Sequence, residues 1–337
     1  MIENIIRQLA AKQDISFKEA EDAVNEIMSG TVSPAKTAAF LTAMAMKGET
    51  PEEIAGAAEG MRAHATPVRY ERALLEIVGT GGDGANTFNI STTSAFVVAA
   101  GGVKVSKHGN RAASSQCGAA DVLEALGVNI RQDPAECVRL LDDVGMCFFF
   151  AQLYHASMKY VGPVRKELGF RTIFNILGPL TNPARAAYDC IGVFDAALVE
   201  PVAHVLGRLG TRRALVFYGS DGLDEISVSA PTMVCELRGG QYRKYTVAPE
   251  DFGIVRGRKE DLVGGDAKTN AAITREILSG RRDGPYASRR NAVVLNAGAA
   301  FYVAGKTTTI REGAVLAGEM IDSGKAMQVL RRLAAAS

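Results

Sequence analysis

Through residues 1–65 the apolar positions recur at three- and four-residue intervals. Ile2 to Ala11 and Phe17 to Met28 follow that rule, with Ala20, Val24, Ile27 and Met28 on one stripe, and the spacing predicts amphipathic helices. Ser33-Pro34 opens another helix with a capping hydroxyl and a first-turn proline, and Thr50-Pro51-Glu52-Glu53 repeats the signal for a helix reaching about His64. Four helices and no strand predict a small all-α domain over residues 1–70. From Leu74 the rhythm changes. Short apolar runs at Leu74 to Val78, Val103 to Ser106, Met146 to Ala151, Ile191 to Phe194 and Ala214 to Tyr218 alternate with helical stretches at 119–126, 135–144 and 198–209. Continuous apolar strands separated by helices predict a mostly parallel sheet covered on both faces, hence a large α/β domain over residues 71–337. A hairpin is expected at Thr232 to Val247, turning at Gly239-Gly240, before the chain becomes helical again from Thr269, most strongly at Asn291 to Val303 and Ile310 to Leu333.

Composition sharpens this picture in three ways. At 337 residues, with 47% hydrophobic positions, the chain can bury a large core and exceeds the usual single-domain size. Its 35 glycines and lack of tryptophan fit tight turns and close packing rather than aromatic platforms, and a net charge of +1 argues against a nucleic-acid backbone or an acidic membrane surface as the main partner. The five cysteines, 117, 137, 147, 190 and 235, offer neither a metal knuckle nor a disulfide framework, which predicts reduced thiols and a cytoplasmic location. A leading signal segment and a membrane-length apolar run are both lacking, so the chain is expected to be soluble and unprocessed.

The chemistry concentrates between Leu74 and Arg111. An apolar strand runs into Gly79-Thr80-Gly81-Gly82-Asp83-Gly84, and an Asn, Ser and Thr cluster then opens a small-residue helix at about Ser91. Glycines admit a ligand close to backbone N–H groups, and a helix N-terminus adds unpaired donors with partial positive charge, so phosphate is the expected guest. The spacing Gly79-x-Gly81-x-x-Gly84 imitates a dinucleotide fingerprint, but the helix starts too late and the next strand ends in Ser106 and Lys107 instead of an acid. It is not a P-loop either, because Gly-Lys-Ser/Thr is missing. Asp83 would repel phosphate oxygens and fits better beside ribose hydroxyls or a hydrated cation. Lys107, His108, Asn110 and Arg111 follow the second strand, and Asp224-Glu225 follows Gly222 in a loop able to turn two hard oxygen donors to one point, as a magnesium ion requires. Each element also has an ordinary reading, whether a capped turn, a solvated lysine or an exposed acidic turn.

Together GTGGDGANTFNIST, KHGNRAASS, GAADVLEALG, VRKELGFRTIFNILGPLTNP and DGLDE resemble the anthranilate phosphoribosyltransferases, the tryptophan-pathway branch of the nucleoside phosphorylase-like transferases. The resemblance covers essentially the whole chain. It implies a small α domain with an inserted helical piece near residues 165–185, hinged to a large α/β domain, and a homodimer formed through the small domain. It also implies a reaction, joining anthranilate to 5-phosphoribosyl 1-pyrophosphate with release of pyrophosphate, and a cofactor, Mg²⁺, with two ions per site. By the same resemblance Gly79, Gly81, Gly82, Asp83, Thr87, Asn89, Ser91, Thr92, Lys107, Ser114, Ser115 and the position of Ala119 bind the phosphoribosyl pyrophosphate. Ser91, Asp224 and Glu225 hold metal, while Gly79, His108, Asn110, His155 and Arg165 meet anthranilate, Arg165 as a clamp on its carboxylate. A dedicated general base is not required, because an aniline-type amine is already neutral at pH 7.

One departure stands out. Ala119 occupies a position where the family usually has serine, and Gln116 and Cys117 replace the more usual lysine and serine, so weaker substrate affinity is expected with activity retained. Two alternatives stay open at this point. A pyrimidine nucleoside phosphorylase shares the architecture but matches KHGN, Arg165 and Asp224-Glu225 poorly, and a non-catalytic nucleic-acid-binding relative should lose the acidic pair or gain a basic face.

Overall fold

The computed structural model describes residues 1–112 and 115–337. Helices α1 (Ile2–Ala10), α2 (Phe17–Met28), α3 (Pro34–Lys47) and α4 (Pro51–Ala63) come first. Ser33 caps α3 and Thr50 closes a capping box with Glu53, so both start signals act where the sequence places them, and Ser16 closes a further box with Glu19. Glu53 does more than cap. Fully buried, it accepts from Ile15 N at 2.9 Å and Lys47 Nζ at 2.9 Å, tying three parts of the bundle together.

The chain then alternates β1 (Leu75–Gly79), α5 (Ile90–Ala100), β2 (Val105–Gly109), α6 (Ala119–Ala125), α7 (Pro134–Asp143) and β3 (Met146–Phe150). Short helices α8 (Ala151–Tyr154), α9 (Gly162–Leu168) and α10 (Phe174–Leu177) precede β4 (Tyr188–Gly192), α11 (Val199–Arg208) and β5 (Arg213–Gly219). The hairpin β6 (Thr232–Arg238) and β7 (Gln241–Val247) follows, then α12 (Ala267–Leu278), α13 (Tyr286–Val303), α14 (Ile310–Asp322) and α15 (Lys325–Ala336). The strands form one sheet in the order β3-β2-β1-β4-β5-β6-β7, parallel except for the hairpin. The architecture is therefore a small helical N-terminal domain and a larger α/β domain built on a mostly parallel sheet.

Alternation along the strands sorts the core into two. Cys190, Leu215 and Phe217 face one way, onto Phe96 of α5 and Leu295 and Phe301 of α13. Ile191, Val193, Ala214 and Val216 face the other way, onto α11, the N-terminal bundle and Val164, Phe174 and Leu177 from α9 and α10. Covered on both faces, the strands can be apolar throughout, which is why they read as continuous runs.

Three local expectations shift. The fourth strand lies at Tyr188–Gly192 rather than Ile191 to Phe194, because its pairing with both β1 and β5 starts at Tyr188 and ends at Gly192. The second strand lies at Val105–Gly109 rather than Val103 to Ser106, because its pairing with β3 continues through Lys107 and His108 and both side chains point into the protein. The closing helical run from Ile310 to Leu333 is two helices, broken at Gly324, whose φ of 72° ends one and starts the other. Among the described residues no helix is long and apolar enough to cross a membrane.

Candidate active site

The carboxyl ends of β1, β2, β4 and β5 share one edge, where ligands bind in sheets of this kind. A cleft of about 500 Å³ opens there. Gly79 and Gly192, partners on β1 and β4, end their strands side by side, and a Cβ at either would run into Asp224. The space left by those two missing side chains seats the acidic turn. The glycine loop then wraps it, with Gly81 N donating to Asp224 Oδ2 at 2.7 Å. Burial, followed by the nearby Asp83, pushes the Asp224 carboxyl up to about 7. Burial and Asp224 likewise hold the Glu225 carboxyl well above its usual range.

Asn89 begins α5 but makes no capping bond with its side chain. Its amide instead donates to Cys117 O at 3.1 Å and accepts from Asn270 Nδ2 at 2.9 Å, fixing the loop after β2 against α12. The helix end is capped by Glu225, whose Oε1 accepts from Ser91 N at 3.1 Å. Lys107, 1% exposed, donates from Nζ to Ile77 O at 2.7 Å and to Ser91 Oγ at 3.3 Å, and its burial lowers its pKa. Thr87 sits on an isolated bridge to Val263, and Thr92 is buried one turn along α5. Asp224, Glu225 and the Ser91 hydroxyl are hard oxygen donors, and two buried carboxylates with depressed acidity are a donor set that a divalent cation would relieve. Among the described residues no group of three His, Cys, Asp or Glu converges as a cage, so such a cation would complete its shell from water and substrate oxygens.

The same cleft is lined by His108, Asn110, His155 and Arg165. The two imidazoles lie 5.0 Å apart, and burial depresses both, His108 to about 3 and His155 to about 4, so each is neutral at pH 7. Nε2 of His108 and both ring nitrogens of His155 have no hydrogen-bond partner among the described residues. Arg165, on α9, is half-buried with the Phe174 ring 5.7 Å from its guanidinium carbon, and it has no carboxylate partner among the described residues. Ser115 and Ala119 also line the cleft, Ala119 as the first residue of α6. Ser114 lies outside the described residues. Every other residue assigned to the site from sequence faces this one cavity.

Other lining residues escaped the sequence reading. Arg171, just after α9, reaches across to the glycine loop, donating to Gly82 O at 2.6 Å while its guanidinium lies 4.0 Å from the Phe194 ring centre. Asn175 and Pro179 line the cleft from the same segment. Nothing in their spacing marks them, although an arginine directly after Gly169-Phe170 is a polar group in a turn.

Comparison with known proteins agrees with this geometry. Residues 3–65 match the Glycosyl transferase family, helical bundle domain, and residues 71–327 match the Glycosyl transferase family, a/b domain. Anthranilate phosphoribosyltransferase of Methanobrevibacter smithii is 56% identical over 332 residues, covering 98% of each chain. The crystal structure of anthranilate phosphoribosyltransferase from Thermus thermophilus superposes with a TM-score of 0.92 at 45% identity, covering 98% of both chains. The Saccharomyces cerevisiae enzyme in complex with PRPP and Mg gives 0.90 at 29% identity, covering 99% of this chain and 97% of that one. With both family models matched in order along the chain and a relative 56% identical over 98% of it, the chain belongs to the anthranilate phosphoribosyltransferases, a family of pentosyltransferase enzymes.

Proposed function

We propose that this cleft carries out the family's reaction, transfer of the phosphoribosyl group of 5-phosphoribosyl 1-pyrophosphate to the amine of anthranilate in tryptophan biosynthesis. One observation carries the reading: a glycine loop with a helix N-terminus and an acidic pair lines the same cavity as an arginine that has no carboxylate partner among the described residues. Donor and acceptor halves meet there.

In the reaction the amine nitrogen bonds to ribose C1 as the C1–oxygen bond to pyrophosphate breaks. The leaving group takes the electron pair, and the new ammonium loses its proton. Positive charge builds on the sugar and negative charge on pyrophosphate, so the protein's task is electrostatic and positional. Gly79 to Asp83, Thr87, Asn89, Ser91, Thr92, Lys107 and Ser115 hold the donor, and Ala119 borders it. Asp224, Glu225 and Ser91 would hold Mg²⁺, two ions per site, which neutralises pyrophosphate charge when bound. Arg165 pairs the acceptor's carboxylate through two parallel hydrogen bonds, and Asn110 and the neutral His108 and His155 enclose its ring.

Residues 1–70 with the piece at 165–185 act as the hinged small domain against 71–337, two copies associate through the small domain, and the enzyme works in the cytoplasm. Light scattering of the purified chain tests the homodimer. The function is tested by following anthranilate fluorescence with PRPP and Mg²⁺. Its disappearance is expected, and persistence under all conditions, or turnover of a nucleoside with phosphate instead, refutes the reading.

A further inference from the structure

The central sheet is split at one place. β1 pairs with β4 over five residues and β2 with β3 over five, yet β1 and β2 meet only at Leu75 and Val105. Continued in register, the next rung would join Ile77 N–H to Ser106 O and His108 N–H to Ile77 O. Side chains satisfy three of those four groups instead. The Ile77 carbonyl accepts from Lys107 Nζ at 2.7 Å, and the Ser106 carbonyl accepts from Asn182 Nδ2 at 2.8 Å. His108 N–H donates to the Glu76 carboxylate, 3.1 and 3.2 Å from its two oxygens. Asn182 Nδ2 also donates to Glu76, which closes the set. All three side chains are buried, Glu76 at 0%, Lys107 at 1% and Asn182 at 3% exposure.

Stability does not account for this wedge. A continued ladder would satisfy the same backbone groups with apolar side chains around it, whereas an acid and an amine are costly to bury, and burial here pushes the Glu76 pKa up and the Lys107 pKa down. What the wedge changes is how two strands are joined. Beyond Leu75 and Val105 side chains take the place of ladder bonds, and the two strands held in this way are the ones ending in the glycine loop and in Lys107 to Arg111. The cleft is lined by both of those ends. The third member, Asn182, comes from the segment after α10, so the piece of chain that carries Arg165 is fastened into the split.

We propose that Glu76 and Asn182 are positioning residues that set how the ends of β1 and β2, and the cleft residues they carry, are placed relative to one another, with Lys107 as the third side of the wedge. Neither reaches the substrates; both act through β2 and the loops at its end. This rests on the transferase reading above, and it predicts a loss in turnover rather than in binding.

The test compares Asn182→Ala, Glu76→Gln and the double variant by steady-state kinetics, with thermal midpoints recorded alongside. Glu76→Gln keeps size and shape but sets an amide against the Asn182 amide or the His108 N–H. Each single variant should lower kcat by about 10- to 100-fold, since a displacement of roughly 1 Å at the reacting groups has that effect. Both KM values should stay within about threefold, the pattern of lost transition-state geometry rather than lost binding. The double variant should be no worse than the poorer single one, because the two residues share a network. Amide exchange at His108 should quicken in Glu76→Gln. Unchanged kcat in folded variants, a rise in KM alone, or multiplying losses in the double variant would overturn the inference. If Asn182→Ala does not fold, the isosteric Glu76→Gln decides, and if neither folds the role is structural and the inference fails. The unmodified enzyme is the control: its inactivity would refute the transferase reading instead.

Discussion

Arginine 165 offers a measurement that separates the two halves of the cleft. It projects from α9 into the cavity, half-buried, with an aromatic ring 5.7 Å from its guanidinium carbon, and burial lowers its pKa from the usual value. The guanidinium still keeps its proton, as arginine does throughout proteins. In Arg165→Ala the acceptor's carboxylate loses a bidentate partner. A hydrogen bond to a charged group contributes about 1.5–3 kcal/mol net, and the partial exposure of this site favours the lower half of that range. A loss of about 2 kcal/mol corresponds to a rise of roughly 30-fold in the anthranilate KM. The KM for PRPP should move by less than about threefold, since the proposed assignment gives that substrate to the glycine loop and the start of α5 and not to Arg165. Arg165→Lys should fall between, retaining charge without the planar fork. Fluorescence-monitored initial rates, varying each substrate at saturation of the other, give both constants. Equal rises in the two, or an unchanged anthranilate KM with a lowered kcat, would show that Arg165 is not the clamp.

Three further outcomes follow from the same site. Ala119→Ser restores a hydroxyl at the start of α6, and one added hydrogen bond of about 1 kcal/mol should lower the PRPP KM roughly fivefold; an unchanged KM would mean that backbone or water already fills the role. His155 titrates near 6.5 when unfolded and at about 4 when folded, so the unfolded chain gains the proton first as pH falls. The contribution of His155 to stability should therefore fall between about pH 6.5 and pH 4, by an order of 3 kcal/mol, so the urea-denaturation profiles of the unmodified chain and of His155→Asn should diverge over that range. Superimposable profiles would contradict the buried, neutral assignment. Chelation of Mg²⁺ should abolish turnover while leaving the thermal midpoint unchanged, because the described residues form no complete cage; a midpoint that falls with chelator would reveal a structural metal.

Much of this architecture was legible because the signals are local. The caps at Ser33 and Thr50 and the paired glycines at 239 and 240 act within a few residues of themselves, and the helices and hairpin appear where they predict. The glycine loop and Asp224-Glu225 were legible for a different reason: both demand unusual residue types in a short window. The second strand was placed too early because Lys107 and His108 read as polar and therefore as loop, although the pairing with β3 buries them. Arg171 and Asn182 were missed outright. Their partners lie 89 and 106 residues away along the chain, and no periodicity encodes a contact of that kind. Glu76 did leave a trace, an acid inside the apolar run Leu74 to Val78, where a buried strand has no reason to hold one unless something distant answers it.

The glycines at 79 and 192 carry a consequence for how this enzyme tolerates change. Two adjacent strands stop on residues without side chains, leaving a notch one residue wide in the sheet's rim, and Asp224 drops into it. The carboxylate is thus aimed by vacancy as much as by contact. Gly192 has no assigned role toward either substrate, yet the smallest possible addition there, a methyl group, has to displace the backbone of the acidic turn. A saturation scan should find Gly192 as intolerant as the residues assigned to the substrates, although what its missing side chain supplies is room.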